Sequence, residues 1–184
     1  MQMTDTREIK AAPADVWAAI LNPDVLRACI PGCTEVTGNR DDGFEAVVTQ
    51  KVGPVKATFK GAVTLSDIVE GQAVTISGEG KGGPAGFAKG GAVVRLDPIL
   101  EGTRLSYEVE ANVGGKLAQL GSRIIDGFAK KMADEFFNRF QTAVEGPLEP
   151  DVLAEGRDEG EDGTKASGED GEQPKTGWFK RLIS

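Results

Sequence analysis

Residues 114–140, GGKLAQLGSRIIDGFAKKMADEFFNRF, have a regular spacing of apolar side chains. Apolar side chains recur there at intervals of three and four residues, which places them on one face of an α-helix. They are Leu117, Leu120, Ile124, Phe128, Met132, Phe136 and Phe140. The pattern predicts one helix from about Gly115 to Val144, and Gly146 with Pro147 favours its end there.

The residues before this helix follow a period of two instead. In GPVKATFKGAVTL at 53–65, apolar and polar side chains alternate over eleven residues, which is typical of a strand with one buried face. Similar alternation spans residues 44–49, 73–81, 87–96 and 104–113, with short glycine-containing turns between the runs. Consecutive strands joined by short turns predict an antiparallel meander.

A further strand at 4–10 and two short helices, which begin near Pro13 and Pro23, precede the meander. This order predicts an α+β helix-grip fold: a curved antiparallel sheet of about seven strands wrapped around a long C-terminal helix. Because a curved sheet cannot close fully on a straight helix, we expect a cavity between them. Seven glycines between residues 78 and 91 fit strong sheet curvature or space for a ligand, and the two interpretations are compatible.

Apolar residues of both layers would meet across such a cavity. Each is by default a core residue, and a position in a ligand pocket is the alternative. The candidate pocket residues are Trp17, Phe44, Phe59, Val63, Phe87, Val94, Tyr107, Leu120, Ile124 and Phe128. The hydroxyl of Tyr107 either donates to a carbonyl oxygen of a ligand or is satisfied by the backbone.

The composition argues against an enzyme. The 184 residues include no histidine, which excludes a Ser-His-Asp triad and zinc sites that need imidazole. The two cysteines, Cys29 and Cys33, lack the Cys-x-x-Cys spacing of redox and zinc motifs. The charged side chains of the predicted helix are typical of a solvated face. We therefore expect no catalytic residue, no metal and no covalent cofactor.

The net charge of −8 is unevenly distributed. Residues 1–148 carry a net charge of only −3, which gives no nucleic-acid-binding footprint. Residues 149–172 carry ten acidic and two basic side chains and few apolar ones, a composition that does not support a folded core. We predict a domain at 1–147, a disordered acidic linker at 148–175 and a docking segment at 176–184.

The docking segment combines four apolar side chains on one helical face with two basic ones opposite. These residues are Trp178, Phe179, Lys180, Arg181, Leu182 and Ile183. A membrane interface with anionic lipid suits the combination, and a protein-docking peptide or a frayed end is the alternative. The sequence contains neither a signal-peptide pattern nor an apolar run of about 18 residues. We expect a cytoplasmic protein at the inner face of the cell membrane.

Four stretches together resemble the CoxG family of carbon monoxide dehydrogenase subunits, within the START/Bet v 1-like (SRPBCC) superfamily. They are CIPGC at 29–33, GPVKATFKGAVTL at 53–65, GEGKGGPAGFAKGGAVVRL at 78–96 and the helical sequence at 114–140. The resemblance covers about residues 1–145. It implies association with a molybdenum hydroxylase of the CO dehydrogenase type, access of that enzyme to the membrane and its quinone pool, and an apolar molecule in the cavity.

The combined expectation is a non-catalytic accessory protein. It would bind a lipophilic molecule non-covalently, such as a quinone, and would link the hydroxylase to the membrane. The alternative is an assembly or recruitment factor for that enzyme with no bound ligand.

Overall fold

A seven-stranded antiparallel sheet forms one layer of the fold. The computed structural model describes residues 1–146. Its strands are β1 (Gln2–Ile9), β2 (Cys33–Asn39), β3 (Gly43–Val52), β4 (Val55–Val69), β5 (Ala73–Lys81), β6 (Phe87–Ile99) and β7 (Gly102–Gly114). The order across the sheet is β1-β7-β6-β5-β4-β3-β2, so β2 to β7 form a meander and β1 pairs with the last strand. The predicted sheet of the α+β helix-grip fold is confirmed.

Two short helices follow β1, as predicted. Helix α1 (Pro13–Ile20) and helix α2 (Pro23–Cys29) each begin with a proline at the first helical turn, where the missing N–H costs no hydrogen bond. The side-chain oxygen of Asn22 caps α2, because it accepts hydrogen bonds from the backbone N–H groups of Asp24 and Val25 at 2.9 and 3.3 Å.

The long C-terminal helix α3 (Ser122–Glu145) begins later than its periodicity predicted. Residues Ala118–Leu120 form a separate 3₁₀ turn. Gly121 then adopts φ 84° and ψ 157°, a conformation that an α-helix does not tolerate. The predicted start near Gly115 is therefore wrong, and Leu117 and Leu120 lie in the connection that precedes α3.

The core lies between the sheet and the C-terminal half of α3. Phe136, Phe137 and Phe140 form an aromatic cluster there, with ring centroids 5.1 to 6.5 Å apart. Tyr107 of β7 stacks on Phe137 at a centroid distance of 5.0 Å. Phe140 is fully buried together with Leu105 of β7. These contacts attach one half of α3 to the sheet.

Removal of the Phe140 ring should destabilise the domain strongly. We expect Phe140→Ala to lower the free energy of unfolding by about 3–5 kcal/mol, because it leaves a cavity in a packed core. Leu100 is fully exposed, so Leu100→Ala should change the free energy by less than about 0.5 kcal/mol. Urea unfolding followed by circular dichroism measures both. Equal effects of the two substitutions would contradict this location of the core.

Candidate functional site

The inner face of the sheet carries unusually small residues beneath the N-terminal half of α3. Gly61 of β4 pairs with Gly80 of β5, and Gly80 pairs with Ala88 of β6. A Cβ atom added at Gly80 would meet nothing within 4 Å, and one added at Gly61 would approach no atom closer than 3.7 Å. These glycines therefore leave open space above the sheet.

Other glycines of the same region have a different role. A Cβ atom at Gly78 would clash with the carbonyl oxygen of Ala62, and one at Gly90 would clash with that of Glu110. These positions need glycine because neighbouring backbone approaches closely. Within the glycine-rich stretch, Gly80 thus leaves open space, whereas Gly78 and Gly90 are required by close backbone contacts.

The open space is an apolar cavity of about 310 Å³ between sheet and helix. Val48, Val52, Phe59 and Val113 line it from the strands, and Ile125 and Phe128 line it from α3. Gln50 also borders the cavity, but its side-chain amide donates to the carbonyl oxygen of Pro31. The exposed lining is apolar, which suits an apolar molecule.

The apolar space continues along the sheet. An adjoining hollow of about 320 Å³ shares Gly61, Gly80 and Ala88 with the cavity and extends to Val63 and Ile76. Ligand sites in proteins usually occupy about 300–1,000 Å³. The cavity is therefore large enough for a small ligand, and the adjoining hollow offers room for a longer one.

A polar pocket of about 300 Å³ adjoins the cavity between β1 and α3. The cavity and the polar pocket share Met1 and Ala129. Tyr107, Asp126 and Lys130 are among the residues that line the polar pocket. An apolar compartment with a polar neighbour matches a ligand that has an apolar body and a polar end.

An ion-pair group stands beside the polar pocket. Arg7 of β1 contacts carboxylate oxygens of Asp5 at 2.8 Å and of Asp134 on α3 at 2.5 Å. The guanidinium carbon of Arg7 also lies 5.4 Å from the centroid of the Phe137 ring. The hydrogen bond from Arg7 lowers the pKa of Asp134. Asp5 and Arg7 thus connect the edge strand to the helix.

The hydroxyl of Tyr107 is buried and has no hydrogen-bond partner within residues 1–146. Burial raises the pKa of Tyr107 and the nearby carboxylate of Asp5 raises it further; the adjacent guanidinium of Arg7 lowers it, and the net shift is upward. The hydroxyl therefore keeps its proton at neutral pH and remains a donor. A buried donor without a partner costs free energy, which an acceptor would remove.

The structure places the ten candidate pocket residues in several environments. Phe59 and Phe128 line the cavity, Val63 lines the adjoining hollow, and Tyr107 borders the polar pocket. The remaining six do not line the cavity: Trp17, Phe44, Val94, Phe87, Leu120 and Ile124.

The element and the face that carry each residue explain why these six lie elsewhere. Trp17 and Val94 pack with the core beneath the aromatic half of α3, and the indole N–H of Trp17 donates to Glu70 at 2.9 Å. Phe44 is buried opposite Val63. The other three, Phe87, Leu120 and Ile124, lie at the end of the sheet where α3 begins.

Sequence reasoning missed several residues that line the cavity. Val48 and Val113 continue the inward alternation of strands that were recognised, and Ile125 widens the helical stripe. Periodicity could have identified them. The small residues at Gly61, Gly80 and Ala88 carry no hydrophobic signal, so the pattern did not mark them.

Two further observations concern residues 1–146. In this part of the chain, no three His, Cys, Asp or Glu side chains are grouped so that they could hold a metal ion. No helix here has both the length and the apolarity needed to span a membrane. The predicted linker and docking segment lie outside the described residues, with Trp178, Phe179, Lys180, Arg181, Leu182 and Ile183.

The fold and its cavity define a helix-grip domain with an apolar compartment between sheet and helix. Residues 6–145 match the family model described as the G subunit of carbon monoxide dehydrogenase (CoxG). The chain belongs to the CoxG family.

Several solved structures share the fold. A conserved protein from Geobacillus kaustophilus is 29% identical, with a TM-score of 0.73 over 79% of this chain and 95% of that chain. Proteins from Chromobacterium violaceum and Thermus thermophilus are 17% and 13% identical, with TM-scores of 0.60 and 0.61. Each of these two matches covers 79% of this chain, and 98% and 97% of the respective neighbours, and shows the fold alone. Among curated proteins, no sequence matches significantly.

The Arg7–Asp134 ion pair predicts a pH-dependent contribution to stability. Because the pKa of Asp134 is lowered in the folded state, this contribution is complete above the pKa of the unfolded carboxyl and is lost as the pH falls through the lower folded value. We expect Asp134→Asn to be less stable than wild type near pH 7, and the difference to shrink below about pH 4.

Urea unfolding between pH 7 and pH 2 measures this difference. Asp126→Asn is the matched control, since Asp126 is an exposed carboxylate on the same helix and forms no ion pair within residues 1–146. A stability difference for Asp134→Asn that stays constant down to pH 2 would contradict the proposed electrostatic origin.

Proposed function

We propose that this chain is a non-catalytic accessory protein that binds a quinone in the apolar cavity. In this proposal it links a molybdenum hydroxylase of the CO dehydrogenase class to the membrane and its quinone pool. The observation that carries the proposal is the apolar cavity of about 310 Å³, which Gly61 and Gly80 leave open.

The chemistry of the cavity favours an uncharged apolar ligand. Its exposed lining offers no polar group to satisfy a charge, and an isolated charge in such surroundings is strongly disfavoured. Transfer of about 200 Å² of apolar ligand surface out of water would contribute roughly 5 kcal/mol. Part of this gain offsets the loss of translational and rotational freedom.

The polar pocket suits the carbonyl end of a quinone. The carboxylates of Asp5, Asp126 and Asp134 and the ammonium groups of Met1 and Lys130 line it, and the Arg7 guanidinium pairs with two of these carboxylates. The charges of this group balance, so the pocket offers no net positive charge to an anionic group such as a fatty-acid carboxylate. A quinone carbonyl is neutral and accepts hydrogen bonds, so it would match the unpartnered hydroxyl of Tyr107.

Membership of the CoxG family supports a CO dehydrogenase-type enzyme as the partner of this chain. The family is described as a subunit of carbon monoxide dehydrogenase, and a subunit that carries a quinone would complement an enzyme that must pass on electrons. In this proposal the protein supplies binding and location, and the partner enzyme supplies the chemistry.

Filling the cavity should abolish quinone binding. We expect Gly80→Leu to reduce the affinity for ubiquinone-1 at least about tenfold, because the new side chain would occupy the space above the sheet. The matched control is Ala62→Leu on the neighbouring strand, which adds a leucine to the exposed outer face. Equilibrium dialysis measures the affinity, and thermal unfolding checks both folds.

Two results would overturn the quinone proposal. Equal affinity of Gly80→Leu and wild type would place the quinone outside the cavity. Failure of the wild-type protein to bind ubiquinone-1 would favour an assembly or recruitment factor that has no ligand.

The predicted docking segment provides a separate test of membrane contact. Deletion of residues 176–184 should weaken co-sedimentation with phosphatidylglycerol vesicles, because each basic side chain near anionic lipid contributes about 1 kcal/mol. The thermal midpoint and the ubiquinone-1 affinity should stay unchanged. If neither form sediments and only the intact chain binds the hydroxylase, the segment is a protein-docking peptide.

A further inference from the structure

Charge is segregated between the two ends of the sheet. We define the hairpin end as residues 50–57, 79–89 and 112–124, which include the β3–β4 turn, the β5–β6 connection and the connection from β7 to α3. This end carries six basic side chains and one acidic side chain. The basic residues are Lys51, Lys56, Lys81, Lys89, Lys116 and Arg123.

The opposite end carries the reverse charge. We define the acidic end as residues 39–43, 67–73 and 97–102, which contain the β2–β3, β4–β5 and β6–β7 turns. It holds six acidic side chains and one basic side chain. The single basic residue, Arg40, pairs with Glu70 at 2.9 Å. The turns at the two ends of the sheet are therefore opposite in charge, although the net charge of the domain is small.

The cationic groups of the hairpin end are placed against like charges. Lys51 and Lys56 are direct cross-strand partners in the β3–β4 hairpin, and Lys60 is the partner of Lys81. Like charges directly opposite each other destabilise a sheet. Lys81 reaches Glu79 at 2.8 Å, but Lys51 and Lys56 form no ion pair within residues 1–146. An anionic partner would remove this cost.

Exposed apolar side chains accompany these cations. Ile124 is 43% exposed and Phe87 is 46% exposed. A Cβ atom at Gly53 in the β3–β4 turn would lie 3.6 Å from Cγ2 of Ile124, so the lysine-bearing hairpin and the helix start are neighbours. The acidic end also exposes two large apolar side chains, Val69 and Leu100. The combination with basic groups therefore distinguishes the hairpin end, and a lipid–water interface accepts this combination.

We propose that the hairpin end is the surface through which the domain docks on an anionic lipid membrane. The lysines contact lipid headgroups, and Ile124 and Phe87 enter the interface. The acidic end is repelled by the same lipids, so the domain is oriented with its hairpin end toward the membrane. An acidic protein surface would also satisfy the lysines, but it would leave two large apolar side chains without a matching environment.

In this orientation the cavity lies near the membrane surface. Val52 and Leu117 belong to the hairpin end and also line the cavity. Docking therefore brings the cavity close to the layer in which an apolar ligand is stored. This step rests on the proposed function, whereas the docking surface itself rests on charge and exposure alone.

The charge test uses the full chain and vesicles of equal parts phosphatidylglycerol and phosphatidylcholine. We expect Lys51→Glu/Lys56→Glu to lower the vesicle partition coefficient at least about tenfold at low salt. The matched control Lys10→Glu/Arg95→Glu changes the net charge equally, at exposed positions nearer the acidic end, and should stay within about twofold of wild type. Vesicles of phosphatidylcholine alone should bind weakly.

The apolar contribution is tested with a second pair. Ile124→Ser should weaken vesicle binding several-fold, whereas Leu100→Ser, at a fully exposed leucine of the acidic end, should not. Thermal unfolding of each variant confirms the fold. Gly80→Leu should bind vesicles like wild type even if it loses ubiquinone-1, so loss of the pocket ligand and loss of docking are separate results.

Two outcomes would overturn the docking proposal. If Lys51→Glu/Lys56→Glu binds the anionic vesicles as tightly as wild type, membrane contact belongs to another part of the chain. If the wild-type chain does not bind them at all, the hairpin end meets a different partner, such as an acidic protein.

Discussion

The attachment of α3 to the sheet through its C-terminal half is the constraint on which the rest of the structure depends. Phe136, Phe137 and Phe140 fill the space above the sheet there. Once this half is fixed, the N-terminal half must run above residues too small to reach it, such as Gly61 and Gly80. The core and the cavity belong to the same interface between sheet and helix. The cavity begins where the large side chains of this interface give way to small ones.

The alternation of side chains was sufficient to predict most of the fold. It identified the meander because the strands are long and bury one face, as in the β4 pattern at 55–69. Strand β2 left a weak signal, because its side chains are mostly exposed and Gly38 interrupts the pattern. The start of α3 was misplaced for a different reason: Gly121 adopts a non-helical conformation between Leu120 and Ser122, while the apolar spacing continues through it.

The site was less predictable than the fold, because an empty space is defined by side chains that are missing. Hydrophobic patterns mark large residues, and most of those lie where the core is filled. Phe59 and Phe128 were found because they are large and apolar, whereas Gly80 could be judged only from its surroundings. From sequence, Gly78 and Gly80 are equivalent; in space, one is required by a neighbouring carbonyl oxygen and the other faces open volume.

The polar groups are also distributed according to the packed half and the cavity half of the domain. Asp5, Arg7 and Asp134 join the edge strand to the helix, and inward-facing charges on an edge strand also discourage further strand pairing. Their position between the aromatic cluster and the cavity places a polar boundary beside an apolar compartment. Lys51 and Lys56, which form no ion pair within residues 1–146, lie at the end of the sheet where α3 begins, and the acidic turns lie at the end where α3 is packed. The packed core, the cavity and the sign of the turn charges therefore all change along one axis of the domain, from the end with the acidic turns to the end where α3 begins.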